Sequence, residues 1–109
     1  MFLFFLAGGG WAATTAPEEA FRRGYEIEQA GGDPAAALAL YETAAAGADR
    51  ELALRARFRI GFCRRLLGQD EEARAGWARL QVEPGLPADL STALTALLAG
   101  LSRDRERRL

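Results

Sequence analysis

Any catalysis by this chain would fall to its carboxylates. There is no histidine, which removes the commonest general base and the commonest metal ligand. There is no lysine, so Schiff-base chemistry and a phosphate-loop lysine are absent. Ser91 and Ser102 have no imidazole to activate them, and the single Cys63 can form neither an internal disulfide nor a cysteine-rich zinc site. The 15 acidic residues leave carboxylate chemistry open in principle. General acid–base work, however, wants two carboxyl groups whose surroundings push their pKa values apart, and no pair here sits in an apolar setting that would do so. The expectation is a protein that is not an enzyme, with no catalytic, cofactor-binding or metal-ligating residues.

Recognition is the remaining chemistry. All 14 basic residues are arginine, and the formal net charge is −1. A nucleic-acid partner calls for a clearly basic domain with its charge on one face. The arginines of Arg50–Arg65 instead spread around a helix, so no nucleic-acid partner is expected. With half the residues hydrophobic, one small domain with its own core is expected.

The elements that must position these side chains are legible from caps and breakers. Thr15-Ala16-Pro17-Glu18 fits a capping box with proline in the first turn, opening a helix that runs to about Ala30. Gly31-Gly32 can close it in the left-handed conformation. Asp33 caps a second helix that stops at Gly47, and Asp49 caps a third, about Arg50 to Leu67, closed by Gly68. Asp70 is expected to cap a fourth, ending near Val82. A fifth follows Pro84-Gly85-Leu86-Pro87, about Ala88 to Leu101, with Leu90, Leu94, Leu97, Leu98 and Leu101 on one stripe. One valine, two isoleucines and no sustained alternation leave no strand signal. The fold class is therefore all-α, five helices joined by short loops as antiparallel hairpins.

The hairpins echo one another. Gly32, Ala37, Tyr41 and Ala44 are matched by Gly68, Ala73, Trp77 and Leu80, each 36 residues further on. A fixed period of this size marks a repeat architecture, whose stacked units make binding surfaces. The pattern resembles the tetratricopeptide repeat family. Ile60-Gly61 in a first helix, Gly68 in the turn, Ala73, Trp77 and Pro84 carry the better match; Gly24, Gly31-Gly32, Ala37, Tyr41 and Ala44 form a looser copy with one added turn residue. Gly61 and Ala73 would let two helices approach closely, with Trp77 beside the contact. The departures are Ala20 and Arg57 in place of large aromatics, and Arg23 and Arg64 where apolar residues are common.

The resemblance covers about Pro17 to Pro87 and implies a short solenoid with a concave groove lined by the first helix of each unit. That face would carry Glu18, Phe21, Tyr25 and Glu28 in one unit and Arg55, Phe58, Phe62 and Arg65 in the next. Aromatics and arginine dominate interaction hot spots, which suits a protein or peptide partner. Two readings stand for the aromatics: groove anchors, or core between stacked helices. Two stand for Arg55 and Arg65: partners of a bound carboxylate, or side chains that are solvated or paired within the chain. The fifth helix either covers the second unit with its leucine stripe or offers that stripe to another protein, including a second copy of the chain. Cys63, mid-helix among apolar neighbours, reads as a small buried hydrophobe.

Residues 17–101 thus make the helical domain, and 102–109 a charged tail, either solvated coil or a frayed continuation of the fifth helix. Residues 1–16 carry no charged side chain and open Met1-Phe2-Leu3-Phe4-Phe5-Leu6-Ala7. This resembles the apolar core of a secretory signal, about 7–15 residues long, with Gly10-Trp11-Ala12 as a small-x-small cleavage site. The departure is the lack of a basic residue before it. The run is shorter than the roughly 20 apolar residues of a spanning helix and is broken by three glycines. A signal peptide, a short membrane anchor and a packed segment are the three readings; the first implies export to the periplasm, the third leaves a cytoplasmic location open.

Overall fold

A computed structural model describes residues 15–108, and these form helices α1 (Ala16–Gln29), α2 (Pro34–Ala45), α3 (Arg50–Leu66), α4 (Asp70–Gln81) and α5 (Ala88–Arg108). No strand occurs among the described residues, and the all-α class stands. The signal-like run and its cleavage site lie outside the described residues, except that Thr15 and Ala16 belong to the start of α1. No described helix is long and apolar enough to cross a membrane.

The local chemistry works as the sequence indicates at most helix ends. The Thr15 hydroxyl accepts from the Glu18 N–H while the Glu18 carboxylate accepts from the Thr15 N–H, a closed capping box. Asp33 accepts from the Ala35 N–H and Asp49 from the Leu52 N–H. Gly31 and Gly68 take φ values of 70° and 80°, the left-handed turn that lets the chain reverse after α1 and α3. Two boundaries differ from expectation. The cap of α4 is Gln69, whose side chain makes no capping bond, and Asp70 lies within the first turn beside Glu71 and Glu72. There the helix dipole favours all three carboxylates. The fifth helix runs on to Arg108 instead of stopping at Leu101: Asp104 pairs with Arg107 one turn later, and Arg105 holds Glu71 of α4 at 2.8 Å. Most of the expected tail is therefore helix.

Cross-contacts fix the antiparallel register of each hairpin. In the first, Pro17 lies against Gly47 and Gly24 against Tyr41. In the second, Arg50 reaches Glu83 and Gly61 meets Trp77. Gln81 bonds Thr95 and Glu71 bonds Arg105, so α5 runs antiparallel to α4.

Two apolar cores result among the described residues. Ala37, Tyr41, Ala44, Ala56 and Cys63 form one, between the first hairpin and α3. Leu54, Ala73, Trp77, Leu80, Leu90 and Leu94 form the other, between the second hairpin and α5. Leu97, Leu98 and Leu101 pack against this second core, so the leucine stripe covers the second hairpin of its own chain. Helix α3 supplies residues to both cores. Ala37, Tyr41 and Ala44 are buried, and so are Ala73, Trp77 and Leu80, each 36 residues further on. Cys63 is buried in the first core, as a small hydrophobe would be.

Candidate functional site

The expected face is built on α1 and α3. Apolar positions three and four apart bring Phe21 and Tyr25 to one side of α1, and Phe58 and Phe62 to one side of α3. Phe21 is half-buried against the first core, its ring 5.3 Å from that of Tyr41 and edge-on to it. Phe58 and Phe62 are edge-on to each other at 5.2 Å, and Phe62 meets Trp77 at 4.9 Å. These three phenylalanines thus serve the core on one side and keep a half-exposed edge on the other. Tyr25 is different: it is 44% exposed.

Arg59 joins the two helices. Its guanidinium carbon lies 4.8 Å from the Phe62 ring centroid, 5.6 Å from Tyr25 and 5.9 Å from Phe58. All three distances fall within the range of cation–π attraction. Its Nε donates to Glu28 Oε1 at 3.0 Å and its Nη2 to Glu28 Oε2 at 2.5 Å. This is a two-point, planar pairing that lysine could not reproduce. Tyr41 donates its hydroxyl to the same Glu28 Oε1 at 2.7 Å. Glu28 of α1, Tyr41 of α2 and Arg59 of α3 therefore form one polar knot. The two charged side chains keep only 24% and 13% of their surface exposed. Burial works against the Arg59 charge, yet the bonds to Glu28 raise its pKa overall. Burial, reinforced by the hydrogen bond to Glu28, pushes the Tyr41 phenol well above its ordinary value.

The expected charges are placed unequally. Glu18 is taken up by the capping box and Glu28 by Arg59. Arg55 donates to both Asp89 oxygens, at 2.9 and 3.3 Å, and to Glu51 at 3.1 Å. Its acceptors therefore come from its own chain. The Arg55 guanidinium holds the Asp89 carboxyl below the usual carboxylate range. Arg65 alone of the proposed arginines has no ion pair among the described residues, and it is exposed. It lines an open cavity of about 590 Å³ with Glu28, Gln29, Phe62, Leu66 and Asp70. Leu66 is 69% exposed at this edge.

Arg59 is the residue that sequence reasoning missed. Its spacing of three from Phe62 placed a cation on an aromatic face of one helix, but its carboxylate partner lies 31 residues away. No group of metal-ligating side chains occurs among the described residues. No family model matches this chain, and no curated protein and no solved structure matches it either.

Proposed function

We propose that this chain is a tetratricopeptide-like interaction module that binds a peptide or a helical segment of a partner protein, without catalysis of its own. The observation that carries the reading is the row on α1 and α3. Tyr25, Phe58 and Phe62 surround a clamped arginine, next to an open cavity edged by the exposed Leu66. Aromatic and arginine side chains held in fixed positions bind with little loss of conformational freedom, which is what interaction hot spots require. Two further observations support the repeat reading: glycine meets a large aromatic at equivalent places in the two hairpins, and the leucine stripe is already packed on its own chain. The signal-like residues 1–16 support a site of action in the bacterial envelope, with membrane association through the same segment as the variant of that reading.

The test is a pull-down from envelope extract with the full chain as bait. One stoichiometric partner is expected, lost with Tyr25→Ala/Leu66→Ala, which alters exposed side chains and leaves the cores intact. A partner retained by that variant would move the binding surface elsewhere, and turnover of any substrate by the chain alone would sink the reading. Export is checked separately: intact Met1 on the mature protein in a soluble cytosolic fraction would defeat it.

A further inference from the structure

The polar knot, whose Glu28 also lines the open cavity, has one open valence. Arg59 uses Nε and Nη2 on Glu28, and its Nη1 makes no hydrogen bond among the described residues. No fully buried side-chain nitrogen or oxygen among those residues lacks a partner, so Nη1 keeps some contact with solvent although most of the Arg59 side chain is covered. A guanidinium whose one edge is fixed by a carboxylate and whose plane lies among Phe62, Tyr25 and Phe58 cannot swing away from this position without breaking the knot. Its free N–H groups are a pre-oriented donor pair beside apolar surface.

Charge decides what such a donor accepts. Glu28 already neutralises Arg59 at hydrogen-bond distance, and both are largely withdrawn from water. A second carboxylate at Nη1 would gain the guanidinium but meet Glu28 at short range, where screening is weak. A peptide carbonyl gains the same charge-assisted bond with no such repulsion. Farther out, Arg65 and Asp70 line the neighbouring cavity with opposite signs, so that edge has no net bias either.

We infer that Arg59 reads a backbone carbonyl of the bound segment, and that the groove selects a stretch that is uncharged and apolar at this point rather than an acidic one. The inference rests on the peptide-binding reading above. It makes Glu28 a selectivity residue: by neutralising Arg59 it turns a carboxylate site into a carbonyl site.

A random twelve-residue peptide library displayed on phage and panned on the full chain tests it, with synthetic peptides made from the winners. The expected winners carry large apolar residues without acidic neighbours, and replacing the residue beside the apolar anchor by Asp weakens them. Arg59→Lys is expected to weaken the winners by about tenfold or more, the scale of one charge-assisted hydrogen bond. Glu28→Gln keeps the shape and the bond from Tyr41 but leaves Arg59 charged and uncompensated, so it is expected to reverse the preference toward the Asp-bearing analogue. Should Arg59→Lys fail to fold by helical circular dichroism, Glu28→Gln carries the test alone. Acidic winners from the unaltered chain, or no reversal in Glu28→Gln, overturn the inference while leaving peptide binding intact. Failure to enrich any peptide overturns both.

Discussion

Gly61 and Trp77 are in a contact that no side chain could enter: a Cβ on Gly61 would lie 2.1 Å from the indole. The indole N–H donates to the Phe58 carbonyl at 3.0 Å, which pins the ring against α3. At the equivalent place in the first hairpin, a Cβ on Gly24 would lie 3.2 Å from the Tyr41 ring. The two hairpins thus share a device but differ in how tightly they use it.

Gly61→Ala is accordingly expected to destabilise the fold by about 1–3 kcal/mol, since displacing a pinned, fully buried indole outweighs the roughly 1 kcal/mol that alanine gains over glycine within a helix. Gly24→Ala needs a shift of only a few tenths of an ångström from Tyr41 and should cost clearly less. Urea unfolding midpoints of the two variants check this; equal shifts would show that the two contacts are equivalent.

Leu94 is fully buried at the centre of the surface that α5 lays on the second hairpin. Leu94→Ala should therefore cost about 2–5 kcal/mol, as for other buried leucines. Sedimentation of this variant under native conditions should show self-association as the second core becomes exposed. A Leu94→Ala protein of unchanged stability would mean that α5 is not the cover of that core.

Alkaline pH should loosen the first core. Burial pushes the Cys63 thiol up to about 11 from an ordinary value of 9.0, so its contribution is fully present below pH 9 and is lost as pH rises toward 11. The Tyr41 phenol, raised from 10.0, adds a loss above pH 10. The melting temperature should fall from pH 9 upward, and Cys63→Ala should remove the first part of that fall. At pH 8 the Cys63 thiol should react with a disulfide reagent only as fast as the core opens. Instant labelling would place the thiol at the surface.

Acid should act on the tie between α3 and α5. Asp89 is held low by the hydrogen bonds from Arg55, so this contribution is present above the ordinary carboxylate range and is lost as pH falls through the lowered value. The pair is exposed, so salt should weaken it too. Asp89→Asn is expected to remove most of the salt dependence that Arg55→Ala removes, and the double variant little more. Additive losses would show that the two residues do not act as a pair.

Most helix ends were legible because they are local. Thr15 with Glu18, Asp33 with Pro34, Asp49, Gly31 and Gly68 each act on backbone groups within a few residues. The start of α4 was misplaced by one residue because an aspartate in a first turn and an aspartate at a cap look alike in sequence. The run of α5 past Leu101 depends on Arg105 finding Glu71, 34 residues back. The leucine stripe was readable as a face, but its covering role was one of two readings until Leu90 and Leu94 appeared inside the second core. The candidate site was legible as a set of aromatics and not as a set of charges. Which carboxylate meets which arginine is set by tertiary approach, as with Arg55 and Asp89, and periodicity carries no record of it.

The position of α3 between two cores has a dynamic consequence. Leu54 and Ala56, two residues apart, belong to different cores, so a single helix relays any disturbance from one hairpin to the other. Its central amides should be the last to exchange with deuterated solvent, because releasing them requires both halves to open together. The amides of α1 and α5, each held from one side, should exchange through separate, cheaper openings at either end of the molecule.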